Sequence, residues 1–236
     1  MTVPGKLYGI GIGPGDPELI TVKALRLLRA VAVVAYPAPD TGESLARRIV
    51  AGYLDQGQEE LVIRVPMLVD RHPAEAVYDR AAETIGRHLG EGRDVVVLCE
   101  GDPFFYGSFM YLYARLAARH QVEVVPGVSS LTAAAASLGT ALTARDDVLS
   151  VVPASLPAEA MAARLRQCDA AAIIKLGRHF ARVREVLTGL GLASRARYIE
   201  HATMASQRIL PLGEVDPAAV PYFSMILLHR RGEAWA

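Results

Sequence analysis

A glycine-rich stretch near the start of the chain decides the fold, and its residues 9–21 read G-I-G-I-G-P-G-D-P-E-L-I-T. Its alternating glycines let another backbone or a ligand come close, because they carry no side chain. Asp16 can cap a helix, and Pro17 suits the first turn of one. The stretch therefore predicts a strand that turns sharply into a helix.

This stretch invites a dinucleotide-binding interpretation, but the G-x-G-x-x-G fingerprint fails because Pro14 and Asp16 stand where its last glycine is needed. The next predicted strand ends at Tyr36, where a dinucleotide site would place a ribose-binding acid, and no G-K-[ST] phosphate loop follows. Taken alone, the stretch fits a purely structural turn and a ligand-shaping loop equally well.

Strand-like runs alternate with helical periodicity through the first half of the chain, which predicts parallel strands joined by helical crossovers. Apolar residues at Val77, Ala81, Ile85 and Leu89 are spaced four apart, so one face of their helix should cover the sheet. The predicted strands of this half are residues 7–12, 31–36, 61–65, 95–99 and 122–125.

A second α/β unit begins after Pro126, and its end differs from the first. Its last two strand-like runs have no long helix between them, which favours antiparallel pairing. The sequence thus predicts two α/β domains: residues 1–126 with a mainly parallel sheet and residues 127–236 with a mixed sheet. The predicted strands of the second domain are residues 148–152, 171–174, 198–200, 207–212 and 223–229.

The composition narrows the class of protein. Lys plus Arg (25) equals Asp plus Glu (25), so the basic surface that most nucleic-acid binders need is not expected. Cys99 and Cys168 are isolated, which argues against a disulfide framework and for a reducing cytoplasm. We see no signal peptide and no run of membrane-spanning length. The six histidines form no close pair, so we expect no protein-bound catalytic metal.

Two further turns follow predicted strands: E-G-D-P-F-F-Y-G-S at residues 100–108 and P-G-V-S-S at residues 126–130. Ligands of open α/β sheets bind at such carboxyl ends. The simpler interpretations are a Gly-Asp-Pro turn that opens a helix, and helix-capping serines at Ser129 or Ser130. A binding site is nevertheless favoured, because three Gly- or Pro-rich turns follow three strands of one sheet. We expect these three to be successive odd-numbered strands.

Taken together, these segments resemble the tetrapyrrole methylase family. Residues 11–24, the G-D-P-F-F-Y-G block at 101–107 and P-G-V-S-S-L-T-A-A-A-A at 126–136 look like its three signature segments, in the same order. Downstream, K-L-G-R at 175–178 and E-H-A-T at 200–203 resemble elements of its second domain. The likeness covers essentially the whole chain.

The resemblance implies a methyltransferase that uses S-adenosyl-L-methionine, held between two α/β domains of a homodimeric protein. It also implies a tetrapyrrole as the substrate. Where the motifs match, the resemblance implies cofactor contacts at Pro14, Glu100, Gly101, Asp102, Phe105, Ser129, Ser130, Leu176 and Ala202.

Within that family, residues 36–39, 98–106 and 221–226 look most like the enzymes that methylate precorrin-2 at its C20 meso carbon. Pro37-Ala38 stands where uroporphyrinogen-III methyltransferases usually carry an Asp-Arg pair, which disfavours that activity. The alternatives are a cobalt-chelate C20 enzyme, another tetrapyrrole methylase, a fold relative acting on RNA or protein, and a non-catalytic tetrapyrrole or nucleotide binder.

The implied substrate carries many carboxylates, which arginine binds bidentately. The candidate substrate contacts are Arg47, Arg64, Arg145 and Tyr36, although a helical arginine such as Arg47 is commonly only solvated. Methyl transfer needs alignment more than acid-base chemistry, and a base has only to remove a proton afterwards. The candidates for that base are Tyr106, Glu100 and His201, each of which could equally orient or pack.

Overall fold

The computed structural model describes residues 3–66 and 72–234 of the chain. It forms two compact units, the first ending at Ser129 and the second beginning at Ser130. Among these residues no helix combines the length and the apolar character needed to cross a membrane.

The first unit contains a five-stranded sheet in which all neighbouring strands are parallel, as predicted. The strands lie in the order β3-β2-β4-β1-β5. Their bounds are β1 (Leu7–Gly11), β2 (Val33–Pro39), β3 (Glu59–Val65), β4 (Val95–Cys99) and β5 (Val122–Val125).

Strand β2 departs most from its predicted bounds, because it runs on through two prolines to Pro39. Its pairing with β4 ends at Ala35, so Pro37 and Pro39 lie where only β3 is a neighbour. A proline lacks the N–H that a second ladder would need, and it is tolerated at such a free edge.

Helices cover both faces of this sheet. On one face lie α1 (Val22–Ala30) and α2 (Leu45–Ile49), and on the other lie α3 (His72–Gly90) and α4 (Phe109–Leu116). The predicted apolar face of α3 is confirmed, since all four of its residues belong to or pack against that core. Burial on both sides explains why every residue of β4 is apolar and buried. Short 3-10 helices span Pro17–Leu19 and Ala51–Tyr53.

The second unit contains a mixed sheet, as predicted, in the order β6-β7-β10-β8-β9. Only β6 and β7 are parallel; the last two strands in the chain each pair antiparallel with β8 rather than with each other. The strands are β6 (Leu149–Pro153), β7 (Ala170–Ile174), β8 (Ala196–Glu200), β9 (Arg208–Leu210) and β10 (Ser224–His229). The helices are α5 (Ser130–Leu138) on one face, and α6 (Ala158–Gln167) and α7 (Phe180–Gly189) on the other. Short 3-10 helices span Gly177–His179, Ala193–Arg195 and Leu212–Glu214.

Candidate functional site

The three Gly- or Pro-rich turns follow β1, β4 and β5, which lie side by side. The expectation that they end successive odd-numbered strands is wrong, because the turn at residues 100–108 follows β4, the fourth strand along the chain. The helix after β1 packs on one face of the sheet, and the helix after β4 packs on the other. Such a divergence between neighbouring strands is a topological switch point, where open α/β sheets form ligand crevices.

One glycine from each turn brings the three strand exits into backbone contact. A Cβ atom added to Gly11 would lie 2.5 Å from the carbonyl oxygen of Gly101 and 2.5 Å from the Cα atom of Gly127. Real Cβ atoms essentially never come within 3.0 Å of another heavy atom, so only glycine fits there. We call Gly11, Gly101 and Gly127 the glycine node.

Hydrogen bonds reinforce the glycine node. The N–H of Gly101 donates to the carbonyl of Gly13 at 2.8 Å, within an isolated β-bridge that joins the exits of β1 and β4. Gly13 and Gly101 have φ values of +79° and +66°, a left-handed backbone that glycine adopts without strain. The two turns therefore hold each other through main-chain atoms.

The carboxylate of Asp102 joins the second turn to the third. Its Oδ1 accepts the N–H groups of Phe104 and Phe105, at 2.9 and 3.1 Å, and its Oδ2 accepts the N–H of Gly127 at 3.0 Å. Both oxygens are thus used by backbone donors. Asp102 therefore fixes the shape of the site in the structure, whatever else it contacts.

The side chains around the glycine node differ in exposure. Pro14 is buried directly after the β1 exit, whereas Phe105 and Tyr106 are 38% and 46% exposed. Tyr106 has a φ of +57°, a left-handed conformation that is uncommon for an aromatic residue and that clusters at functional sites. Burial raises the pKa of the Glu100 carboxyl, which accepts a hydrogen bond from the backbone of Ala46 at the start of α2.

Three further residues of the first and third turns can be located within their own units. Asp16 caps the first 3-10 helix, as predicted, by accepting the N–H of Glu18 at 2.9 Å. Ser129 is half-buried at the end of the first unit, and Ser130 is the exposed first residue of α5.

The predicted contacts of the second unit lie at its own strand exits. The side chain of Leu176, just beyond β7, is fully buried in the core, and Ala202, beyond β8, packs in the smaller cluster under α5. Because their side chains are buried, Leu176 and Ala202 can contact a ligand only through their main-chain atoms. His201 lies beside Ala202 with a φ of +50°, and its N–H donates to the carbonyl of Phe223 at 2.8 Å.

Two of the predicted substrate contacts share one carboxylate. Arg47 binds Glu60 through two hydrogen bonds of 2.9 and 3.0 Å, and the Tyr36 hydroxyl donates to the same carboxylate at 2.5 Å. These bonds from Arg47 and Tyr36 hold the pKa of Glu60 below its ordinary value. The Arg47 fork that would bind a substrate carboxylate is therefore already occupied in this structure.

The other two predicted substrate contacts have different surroundings. Arg64, on β3, donates to the carbonyls of Pro39 and Gly42 at 2.8 and 3.0 Å and so holds the segment after β2. Arg145 belongs to the second unit, where it is exposed in a tight turn with a φ of +51°. Sequence patterns brought these arginines to notice but gave no sign of their partners.

Asp147 anchors the turn that carries Arg145. It accepts the N–H of Ala144 at 2.8 Å and lies 3.1 Å from His229 and 2.9 Å from Arg231. These contacts, with the Ala144 bond foremost, lower the pKa of Asp147 to about 2. The turn is therefore stabilised by a charged carboxylate.

We expect the Asp147→Asn substitution to lower the unfolding temperature at pH 7 by several degrees. A carboxyl whose pKa falls on folding stabilises the fold above its unfolded pKa of about 4, and that stabilisation is lost as the pH falls from about 4 towards 2. The difference from wild type should therefore shrink over that range in thermal unfolding followed by circular dichroism. The neighbouring exposed Asp146→Asn is the control, and a difference that is independent of pH would contradict this assignment.

The second unit also contains a cavity of about 550 Å³. It is lined by Arg197, Tyr198 and Ile209 among others, at the end of β8 opposite Glu200. Within residues 3–66 and 72–234, no three His, Cys, Asp or Glu side chains are grouped as metal ligands would be.

Sequence reasoning missed two groups of functional interest. Glu60, which joins Arg47 to Tyr36, lies just outside the predicted strand at residues 61–65, although it is the second residue of β3. Gly127 was recognised only as part of a turn. Its signal was the recurrence of glycine at each strand exit, which indicates close packing of backbones as much as of a ligand.

A parallel sheet with glycine-rich loops at its switch point, followed by a mixed α/β unit, defines a two-domain α/β protein with a small-molecule site. The chain matches the family described as Tetrapyrrole (Corrin/Porphyrin) Methylases over residues 6–216, and it belongs to that family. The cofactor of this family is S-adenosyl-L-methionine.

Curated relatives share this likeness. The cobalamin biosynthesis protein CobIJ of Mycobacterium tuberculosis is 47% identical over 97% of this chain and 46% of its own length. The chain therefore spans about half the length of that relative. A precorrin-2 C(20)-methyltransferase of a Sinorhizobium species is 38% identical over 95% of both chains. A cobalt-precorrin-2 C(20)-methyltransferase of Salmonella typhimurium is 33% identical over 97% of this chain and 98% of the other.

Solved structures confirm the two-domain α/β fold. A cobalt precorrin-4 methyltransferase superposes with a TM-score of 0.74 at 26% identity, covering 97% of this chain and 96% of the other. A uroporphyrin-III C-methyl transferase from Thermus thermophilus, complexed with S-adenosyl homocysteine, gives a TM-score of 0.68 at 27% identity, with 95% and 92% covered.

Proposed function

We propose that this chain transfers a methyl group from S-adenosyl-L-methionine to the C20 meso carbon of precorrin-2, a step of corrin construction. The observation that carries the proposal is the meeting of the β1, β4 and β5 exits at the switch point. The choice of substrate is supported by the Sinorhizobium relative, whose likeness runs along nearly the whole of both chains.

The residues at this site fit a nucleoside cofactor. Buried main chain at Gly101 and the exposed ring of Phe105 lie in one turn, offering polar groups beside an aromatic surface. We assign the cofactor contacts to Pro14, Glu100, Gly101, Asp102, Phe105, Ser129, Ser130, Leu176 and Ala202, the last two through their main chains.

When bound, the cofactor supplies an electrophilic methyl group on a positively charged sulfur. The chain's part is to align the accepting carbon with that methyl group and to exclude water. The meso carbon of a reduced tetrapyrrole is electron-rich through its neighbouring ring nitrogens, so a base has only to take up its proton after the new bond forms. We keep Tyr106, Glu100 and His201 as the candidates for that base.

A second candidate function is methylation of the cobalt complex of precorrin-2, and it is favoured by the likeness to the Salmonella relative. A third is binding of a tetrapyrrole or nucleotide without turnover. We further propose that the chain acts as a homodimer, which light scattering in solution would report as twice the monomer mass.

Incubation of the protein with S-adenosyl-L-methionine and either precorrin-2 or its cobalt complex separates these functions. We expect S-adenosylhomocysteine and a product heavier by one methyl group with metal-free precorrin-2, seen by mass spectrometry, and a new signal at C20 by NMR. Faster methylation of the cobalt complex than of metal-free precorrin-2 would make the cobalt complex the substrate in place of the one proposed. Binding of both ligands with no S-adenosylhomocysteine would favour the non-catalytic function.

A further inference from the structure

A group of basic side chains lies at the carboxyl end of β7, in the second unit. We call Arg178, His179 and Arg182 the β7 basic cluster. One terminal nitrogen of Arg182 donates to the carbonyl of Ala154, just beyond β6, at 2.7 Å and lies 3.3 Å from Nδ1 of His179. The guanidinium of Arg182 is thereby fixed across the ends of two neighbouring strands.

The β7 basic cluster lacks compensating acids. Among the residues that the structure describes, no carboxylate forms an ion pair with Arg178 or Arg182, and the buried Nε of Arg182 has no hydrogen-bond partner. Burial, followed by the charges of Arg182 and Arg178, lowers the pKa of His179. Buried donors are normally satisfied, so an unpaired guanidinium nitrogen indicates a missing acceptor.

Two exposed aromatic rings lie at the same end of the sheet. Tyr222 and Phe223 immediately precede β10, are 46% and 45% exposed, and pack edge to face with ring centroids 5.3 Å apart. A Cβ atom added to Gly177 would lie 3.7 Å from the Cα atom of Tyr222, which places this pair beside the turn that carries the cluster. Cations and exposed rings therefore occur together.

The backbone at this end of the sheet is also unusual. Lys175, His201 and Thr203, which follow β7 and β8, have φ values of +60°, +50° and +69°. Left-handed conformations of residues other than glycine cost free energy and cluster at ligand sites. Three of them occur at the exits of β7 and β8, which flank β10, so they lie at the same end of the sheet as the cluster.

We infer that Arg178 and Arg182 bind carboxylate groups of the tetrapyrrole substrate, while Tyr222 and Phe223 present an apolar surface to its macrocycle. Arginine binds a carboxylate through two parallel hydrogen bonds; the exposed Arg178 offers both donors directly, and Arg182 offers its unpaired Nε once the substrate displaces the atoms that cover it. A conjugated ring bearing several carboxylates matches both parts of this surface. The inference rests on the proposed function and names the substrate-binding residues of the same reaction.

The test uses the Arg178→Gln/Arg182→Gln double variant of the full chain, with the exposed Arg164→Gln of α6 as the matched control. The probe is uroporphyrin III, an octacarboxylate, titrated by fluorescence quenching, and S-adenosylhomocysteine is titrated separately by calorimetry. We expect the double variant to bind uroporphyrin III roughly ten- to a hundredfold more weakly than wild type. Its KM for precorrin-2 should rise by a similar factor, with kcat little changed, roughly as expected for lost ground-state binding. Binding of S-adenosylhomocysteine should equal that of wild type and of the control.

Arg182→Lys is a milder variant that guards against a loss of folding, since lysine keeps the charge but not the forked guanidinium. Its affinity for uroporphyrin III should lie between that of wild type and that of the double variant. Unchanged binding of uroporphyrin III and an unchanged KM in a folded double variant would overturn the inference. Weakened S-adenosylhomocysteine binding with unchanged uroporphyrin III binding would overturn it too, by assigning the cluster to the cofactor. If wild type fails to methylate precorrin-2 while uroporphyrin III binding still depends on the cluster, the proposed function fails and the carboxylate site stands.

Discussion

Replacing Gly127 with alanine is expected to abolish binding of S-adenosylhomocysteine and to destabilise the first unit severely. The added Cβ would lie 2.7 Å from the Cα atom of Gly11 and closer still to the carbonyl oxygen of Gly101. Both neighbours are backbone atoms in paired strand exits, so neither can move aside without separating the turns. Overpacking typically costs about 1–3 kcal/mol, and backbone on both sides puts this substitution at or above the top of that range.

The measurements are urea unfolding followed by circular dichroism and calorimetric titration with S-adenosylhomocysteine. Gly90→Ala is the matched control, because Gly90 ends α3 with no atom within 4 Å of an added Cβ and should be neutral or slightly stabilising. A Gly127→Ala protein that unfolds and binds like wild type would show that the three turns do not depend on close packing at the glycine node.

The second large effect is expected for Asp102→Ala, which should weaken S-adenosylhomocysteine binding by roughly ten- to a hundredfold. Its carboxylate accepts three backbone N–H groups from two turns, and hydrogen bonds to a charged acceptor contribute about 1.5–3 kcal/mol each. Without them the turn after β4 loses its fixed position relative to Gly127. The unfolding free energy should fall as well, because the N–H groups of Phe104, Phe105 and Gly127 lose their acceptor.

Asp102→Asn separates shape from charge. It keeps one oxygen to accept from Phe104 and Phe105, but its amide nitrogen would then face the N–H of Gly127, so its affinity should lie between wild type and Asp102→Ala. Glu83→Ala, which removes an exposed acid from α3, serves as the control for loss of charge. Wild-type affinity in Asp102→Ala would remove Asp102 from the account of the site.

The sequence predicted the strands and their direction well because their signals are local. Residues 95–99 are apolar without interruption, as expected for a strand buried on both faces, and β4 has those bounds. In the second sheet the missing helix before β10 favoured antiparallel pairing of the last two strands, but β9 and β10 each pair antiparallel with β8 and run in the same direction. Strand order was not predicted, since the insertion of β4 between β2 and β1 depends on crossovers that local patterns do not record.

In the candidate site, too, local features were predicted from the sequence and contacts between distant elements were not. Glycine and proline at the strand exits indicated where chains come close, but not that Gly11 and Gly127 contact each other. Residue type alone also failed to give the partners of the arginines. Arg47, on α2, is occupied by Glu60 of β3, while Arg182, which the sequence did not single out, has an unpaired buried nitrogen. Such pairings join residues far apart in the chain and require the fold.

The most direct test is a crystal structure of the protein with S-adenosylhomocysteine bound. We predict that the nucleoside contacts the turns after β1, β4 and β5, with the main chain of Gly101 and the ring of Phe105 among its neighbours. A nucleoside bound elsewhere, such as in the cavity beside Tyr198 and Ile209, or crystals that do not take it up at saturating concentration, would contradict the assignment of these three strand exits as the methyl-donor site.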